Sequence, residues 1–145
     1  MSKTEDFLSK ADEQEIVQAI IEAEKNTSGE IRVHLEEHTQ KSPLDRAQEV
    51  FFELNMHETK DRNGVLFYVG ISNKKFAIIG DEGIDKVVEA DFWDGTKDVV
   101  IANFKEGNYK KGLVEGILKA GERLKKYFPY QSDDTNELSN EISRG

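Results

Sequence analysis

A chain of 145 residues with 29 acidic and 20 basic side chains, net charge −9 at pH 7, has room for one domain with a sizeable core and too little for two. That balance argues against a nucleic-acid backbone or an anionic membrane surface as the main partner, because both would be repelled. The absence of cysteine excludes disulfides, thiolate catalysis and cysteine-ligated zinc or iron–sulfur centres.

Residues 1–6 are polar and no apolar stretch of a targeting segment follows. No run nears the roughly 18 to 20 apolar residues needed to cross a bilayer. A soluble, cytoplasmic protein without membrane insertion is the expectation.

The spacing of Ile16, Val17, Ile20, Ile21 and Ala23 predicts a helix over residues 9–26, with Ser9 as its cap and Asp12 in its first turn. Residues 30–37 alternate, Ile31, Val33 and Leu35 on one face against Arg32, His34 and Glu36 on the other. That is a strand near a sheet edge with one face in the core. Ser42 and Pro43 then start a second helix whose Ala47, Val50, Phe51 and Leu54 face inward. Residues 64–71 are apolar at nearly every position and predict a central strand covered on both faces, so strand, helix and strand form a βαβ unit. The polar turn at residues 72–75 returns the chain in an antiparallel strand over 75–80.

After Gly83 a short helix carries Ile84, Val87 and Val88 toward Phe92 and Trp93, the latter pair being core or the wall of a pocket. Thr96 is read as the cap of a helix bearing Val99, Val100, Ile101 and Phe104. A last helix over residues 109–127 buries Leu113, Val114, Ile117, Leu118 and Leu124. Its glycines Gly112, Gly116 and Gly121 cost helix propensity and so mark close packing. The fold class is α/β, a three-layer α/β/α sandwich around a small mixed sheet of at least three strands, with a short fourth left open. Residues 1–129 form the domain, and 130–145, polar and poor in large apolar groups, read as a flexible tail.

The hairpin has a consequence for function. Its first strand is entered by Asp61 and Asn63, and its second is left by Asp81 and Glu82, so these groups meet on one rim. The parallel first strand brings Glu30 to the same side, and the following helix adds Asp85, with Asp91 and Asp94 further on. Carboxylates and amide oxygens so gathered suit a hard cation, Ca²⁺ or Mg²⁺. An acidic protein, however, carries acids in its loops in any case, and the spacing is not that of an EF-hand. His34, His38 and His57 lack any helical metal-binding spacing and are read as surface groups, with His57 on the side away from the rim. The loop at residues 80–84 could approach a phosphate only through a bridging cation, because its two acids repel an anion. No nucleophile motif occurs, so any hydrolysis would be attack by metal-activated water.

Four segments carry a family resemblance: residues 28–33, 63–66, 78–85 and 104–113, reading SGEIRV, NGVL, IIGDEGID and FKEGNYKKGL. In this order they are similar to the TPM domain family, named for a thylakoid-lumen phosphatase, a photosystem II repair protein and a modulator of an acetylcholine receptor, over roughly residues 9–128. The resemblance implies an α/β/α sandwich, divalent-cation binding at acidic loops, and weak acid phosphatase activity in some members. Its acidic positions fall on Asp61, before Asn63–Gly64, and on Asp91. The chain departs from the pattern at residues 88–91, VEAD where Leu-Thr-Asp is common, and shows neither the export signal nor the glycine-rich or membrane-anchored tail usual in the family. The expected ligands are Asp61 and Asp81, helped by Asn63, Glu82 and Asp91, with Glu30 and Asp85 as weaker candidates. The expected partners are a divalent cation together with a phosphate ester, or a protein in an adaptor role in membrane-protein maintenance.

Overall fold

A computed structural model describes residues 8–72, 74–130 and 138–144. In chain order its elements are α1 (Lys10–Glu24), β1 (Glu30–Glu36), α2 (Pro43–Glu53), a 3₁₀ turn (Met56–Glu58), β2 (Gly64–Gly70), β3 (Lys75–Gly80), α3 (Glu82–Asp85), α4 (Asp94–Lys105), α5 (Tyr109–Leu124) and β4 (Ser143–Arg144). The strands form one sheet in the order β3-β2-β1-β4. β1 and β2 are parallel with Glu30 opposite Gly64, β2 and β3 are antiparallel with Val65 opposite Gly80, and β4 runs parallel to β1 with Ser143 opposite His34.

Local chemistry sets the helix ends. Ser9 and Asp12 form a reciprocal capping box at α1, and Ser42 accepts the Asp45 N–H at the start of α2 behind Pro43. Period-2 alternation then divides the sheet into two faces. Ile31, Val33, Leu35, Val65, Phe67, Val69 and Ile78 pack under α1, α4 and α5, whose Ile16, Ile20, Val100, Leu113, Ile117 and Leu124 complete the larger core. On the opposite face Leu66, Tyr68 and Ala77 pack under Ala47, Val50 and Phe51 of α2 and under Met56. The arrangement is the three-layer α/β/α sandwich, and β2 is buried along its whole length. α5 comes so close to α1 that a Cβ at Gly121 would sit 2.7 Å from the Ala23 Cβ, which explains the helical glycine there.

Several local expectations give way. Thr96 does not cap α4; the helix starts at Asp94 with Trp93 at its cap, and Thr96 is buried within its first turn. α3 stops at Asp85, leaving Val87 exposed, and Leu118 points to solvent on α5 because the other apolar positions already fill the inward stripe. His34 is not a surface group but a buried one, and Glu36 beside it is buried as well. His57 follows a Met56 carbonyl that lies 3.2 Å from where a Gly64 Cβ would be, so its turn stands at the rim end of β2 and not opposite it. The described part of the segment read as a tail packs back on the sheet. Leu138 joins the core under α2, Ser143 and Arg144 form β4, and Arg144 pairs with Glu13 of α1.

Candidate functional site

The sheet register brings the starts of β1 and β2 and the end of β3 to one rim. The Asn63 carbonyl accepts the Glu30 N–H at 3.3 Å, and the Gly64 carbonyl accepts the Asp81 N–H at 2.9 Å. The Gly83 N–H in turn donates to the Arg62 carbonyl at 2.9 Å. This last contact requires glycine: a Cβ at residue 83 would lie 2.3 Å from the Asp61 carbonyl oxygen and 2.5 Å from that of Arg62. Gly83 thus locks the loop before β2 to the first turn of α3.

Within the rim the side chains are not equivalent. Asp81 is buried, caps α3 by accepting the Glu82 N–H at 2.7 Å, and receives a two-point ion pair from Arg62. Arg62 Nε donates to Oδ2 at 2.8 Å and Nη2 to Oδ1 at 2.9 Å, while Nη1 reaches Glu82 Oε1 at 3.2 Å. Asp81 and Glu82 together pull the proton affinity of this guanidinium further upward, first through the hydrogen bonds to Asp81. Burial and the neighbouring Asp81 charge push the Asp85 carboxyl up, so negative potential accumulates at this end of β3. Asp61 is exposed beside the Gly83 backbone.

The remaining candidates are directed elsewhere. Asn63 is buried with its amide donating to Ser28 Oγ at 3.3 Å. Glu30 is buried and accepts the Leu138 N–H at 2.7 Å, which anchors the returning C-terminal segment. Its charge and, more strongly, burial raise the nearby Glu24 carboxyl to about 7. Asp91 lines a shallow depression with Phe92, Lys119, Arg123 and Lys126, whereas Trp93 lines a separate groove with Asp81 and Asp85. The Phe92–Trp93 ring pair, 4.7 Å between centroids, stands between the two.

Among the described residues no three aspartate, glutamate or histidine side chains are grouped closely enough to hold a metal ion. The donor set therefore does not form a closed cation site, and the positive charge on Asp81 and Glu82 is supplied by Arg62. Arg62 was not a site residue on sequence grounds. Its signal is a basic residue between Asp61 and Asn63, held at a left-handed φ of 52° that turns its side chain back over β3.

Sequence reasoning also missed a buried polar cluster at the far end of β1. Arg46 of α2 grips Glu36, Nη2 to Oε1 at 2.7 Å and Nε to Oε2 at 2.9 Å, and the Tyr68 hydroxyl donates to Oε2 at 2.6 Å. His34 stacks on Tyr68 with centroids 6.0 Å apart and bonds Ser143 Oγ through Nδ1 at 2.9 Å. Burial opposes the charge on Glu36, but the hydrogen bonds from Arg46 and Tyr68 outweigh it and hold the carboxyl down at about 2. Burial lowers the His34 imidazole, keeping it neutral. The cluster fastens α2 and β4 to the sheet and leaves one buried nitrogen, His34 Nε2, without a hydrogen-bond partner, 3.6 Å from Glu36 Oε1.

No helix of the described residues is long and apolar enough to cross a membrane. No curated protein matches the chain. The structure is similar to that of the BA42 protein from the psychrophilic bacterium Bizionia argentinensis, determined by NMR, with 55% identity over 100% of both chains and a TM-score of 0.92. It shares its fold with the N-terminal domain of a protein from P. gingivalis (21% identity, TM-score 0.69, 86% of this chain and 82% of that one). The same holds for the N-terminal domain of cg2496 protein from Corynebacterium glutamicum (11% identity, TM-score 0.62, 95% and 80% covered). With the sandwich, the hairpin rim and its Asp-Glu-Gly turn in place, and with the TPM domain model matching residues 1–123, the chain belongs to the TPM domain family.

Proposed function

We propose that this chain is a divalent-cation-binding module that takes Ca²⁺ or Mg²⁺ at the rim of Asp61, Asp81, Glu82 and Asp85. The observation that carries the reading is Arg62, whose guanidinium already serves as the cation of the buried Asp81 and of Glu82. Because the rim is not a closed site, an ion enters by exchange with that guanidinium. Three features favour exchange. Arg62 is partly exposed, so its guanidinium can be displaced without opening the core. Asp61 and Glu82 have carboxylates at the surface beside it. Asp85 gains from any positive charge placed near Asp81. Asn63, Glu30 and Asp91 are engaged or separated from this point and are not ligands in this reading.

The test is a titration of the metal-free protein with Ca²⁺ and with Mg²⁺, followed residue by residue by NMR. Shifts centred on Asp61, Arg62, Asp81 and Asp85 support the proposal, and a spectrum unchanged there overturns it. Turnover of a generic phosphate ester, compared between wild type and Asp61→Ala, tests the phosphatase activity that the family resemblance implies. Metal-dependent turnover lost in the variant gives the rim a catalytic role.

A second reading, a protein-interaction adaptor, is favoured by a different observation. Leu44 and Phe52 are exposed on α2, at 48% and 57%, next to the groove beside β3. Large apolar groups in that position suit a partner protein.

A further inference from the structure

Among the described residues β3 ends the sheet, and no strand lies along its outer edge. The Asp81 N–H bonds the Gly64 carbonyl directly opposite, so alternation along the antiparallel ladder turns residues 79, 77 and 75 toward β2. The main-chain N–H and C=O groups of Phe76, Ile78 and Gly80 therefore point away from the sheet, a row of three positions without a main-chain partner among the described residues. Alongside this edge runs a groove of about 340 Å³ between α2 and β3, walled by Leu44, Phe51, Phe52, Ile79 and Trp93 and closed at one end by Asp81 and Asp85. Natural sheets blunt an open edge with charges, proline or a covering element. Here the groove beside it is mixed, with Leu44, Phe51, Phe52 and Ile79 next to Gln48 and the two carboxylates.

We propose that this edge and groove bind an extended segment of a partner protein by strand addition, a segment with apolar side chains at alternate positions and a lysine or arginine at the end that meets Asp85. The main-chain bonds to residues 76, 78 and 80 supply the pairing, and every second side chain of the added strand packs on Leu44 and Phe52. Charge selects the occupant. Asp81 is matched by Arg62, but the Asp85 carboxylate has no cationic partner among the described residues, and the chain carries a net charge of −9. A basic segment is drawn to that field, whereas a second copy of the chain is repelled by it. The proposal rests on the adaptor reading and shares Asp85 with the cation reading, so a bound ion there competes with the basic end of the segment.

The experiment is a selection of phage-displayed random decapeptides on the full chain, followed by NMR titration and amide exchange with a selected peptide. The expected peptides alternate apolar residues and carry a basic residue at one end. On binding, the amides of Phe76, Ile78 and Gly80 shift and exchange at least about tenfold more slowly. Phe52→Ser and Leu44→Ser each weaken binding by about tenfold, and Asp85→Asn weakens it and flattens its salt dependence. All three side chains are exposed, and an unchanged Tm confirms that the variants fold. Peptides that bind but leave these three amides unmoved overturn the β3 proposal while the adaptor reading stands. A selection that enriches nothing overturns both. Concentration-dependent protection of the same amides without peptide assigns the edge to a second copy and overturns the proposed partner.

Discussion

Arg62 and Asp81 form a two-point ion pair across the rim, 2.8 and 2.9 Å, in which the acid is buried and the base half-exposed. The pair joins the loop before β2 to the cap of α3, and it decides how the rim meets an external cation. An ion and the guanidinium compete for the same oxygens.

Arg62→Ala is therefore expected to tighten Ca²⁺ and Mg²⁺ binding by about tenfold while lowering the Tm, since Asp81 stays buried without a counter-charge. Calorimetric titration and thermal unfolding with and without the ion check this. The signature is a Tm that the ion restores in the variant more than it raises that of the wild type, because binding to the folded state alone adds stability by mass action. Loss of cation binding in the variant would instead make Arg62 part of the site.

Gly83→Ala tests the backbone beneath that pair. The new Cβ would meet the Asp61 carbonyl oxygen at 2.3 Å, and both contact atoms are main chain that cannot rotate aside. Overpacking of this kind costs about 1–3 kcal/mol, read as a lower midpoint in urea. NMR shifts should spread from Asp61 to Asp85 and leave α5 undisturbed.

Much of this architecture is legible in the residues, and the failures have physical causes. The rim follows from a hairpin beside a βαβ unit, and both are written in local apolar patterning over residues 30–80. The direction of each rim side chain is not. Arg62 depends on a single left-handed residue, and Asn63 and Glu30 are taken by Ser28 and by Leu138. Alternation placed His34 and Glu36 on the second face of β1 but could not say what covers it, because their partners, Arg46 and Ser143, come from another layer and from 109 residues downstream of His34. Thr96 follows a glycine and resembles a cap, yet the packing of α4 on α5 draws it inside the helix.

The Glu36 cluster sets an acid limit on stability. Its carboxyl titrates near 2 when folded, below the ordinary value of 4.5, so the unfolded chain binds the proton first as pH falls. The stabilisation is complete above about pH 4.5 and is lost as pH drops from there toward about 2. Urea unfolding across that window should show a steep fall in the wild type and a shallower one in Glu36→Gln. At neutral pH Tyr68→Phe, which removes one buried donor, is expected to cost about 1–3 kcal/mol.

Glu24 acts in the opposite sense. Its carboxyl, accepting the Ile31 N–H at 2.9 Å, is raised to about 7, chiefly by burial. The folded chain therefore holds this proton more tightly than the unfolded chain does. As pH rises from about 4.5 to about 7 the unfolded state ionises first, and this group removes stability across that interval. Glu24→Gln keeps an oxygen for the Ile31 amide and cannot ionise. It is expected to raise the Tm at pH 7.5, to leave it nearly unchanged at pH 4.5, and to flatten the profile between them. A Tm gain equal at both pH values would show that the glutamine improves packing and that Glu24 stays ionised throughout.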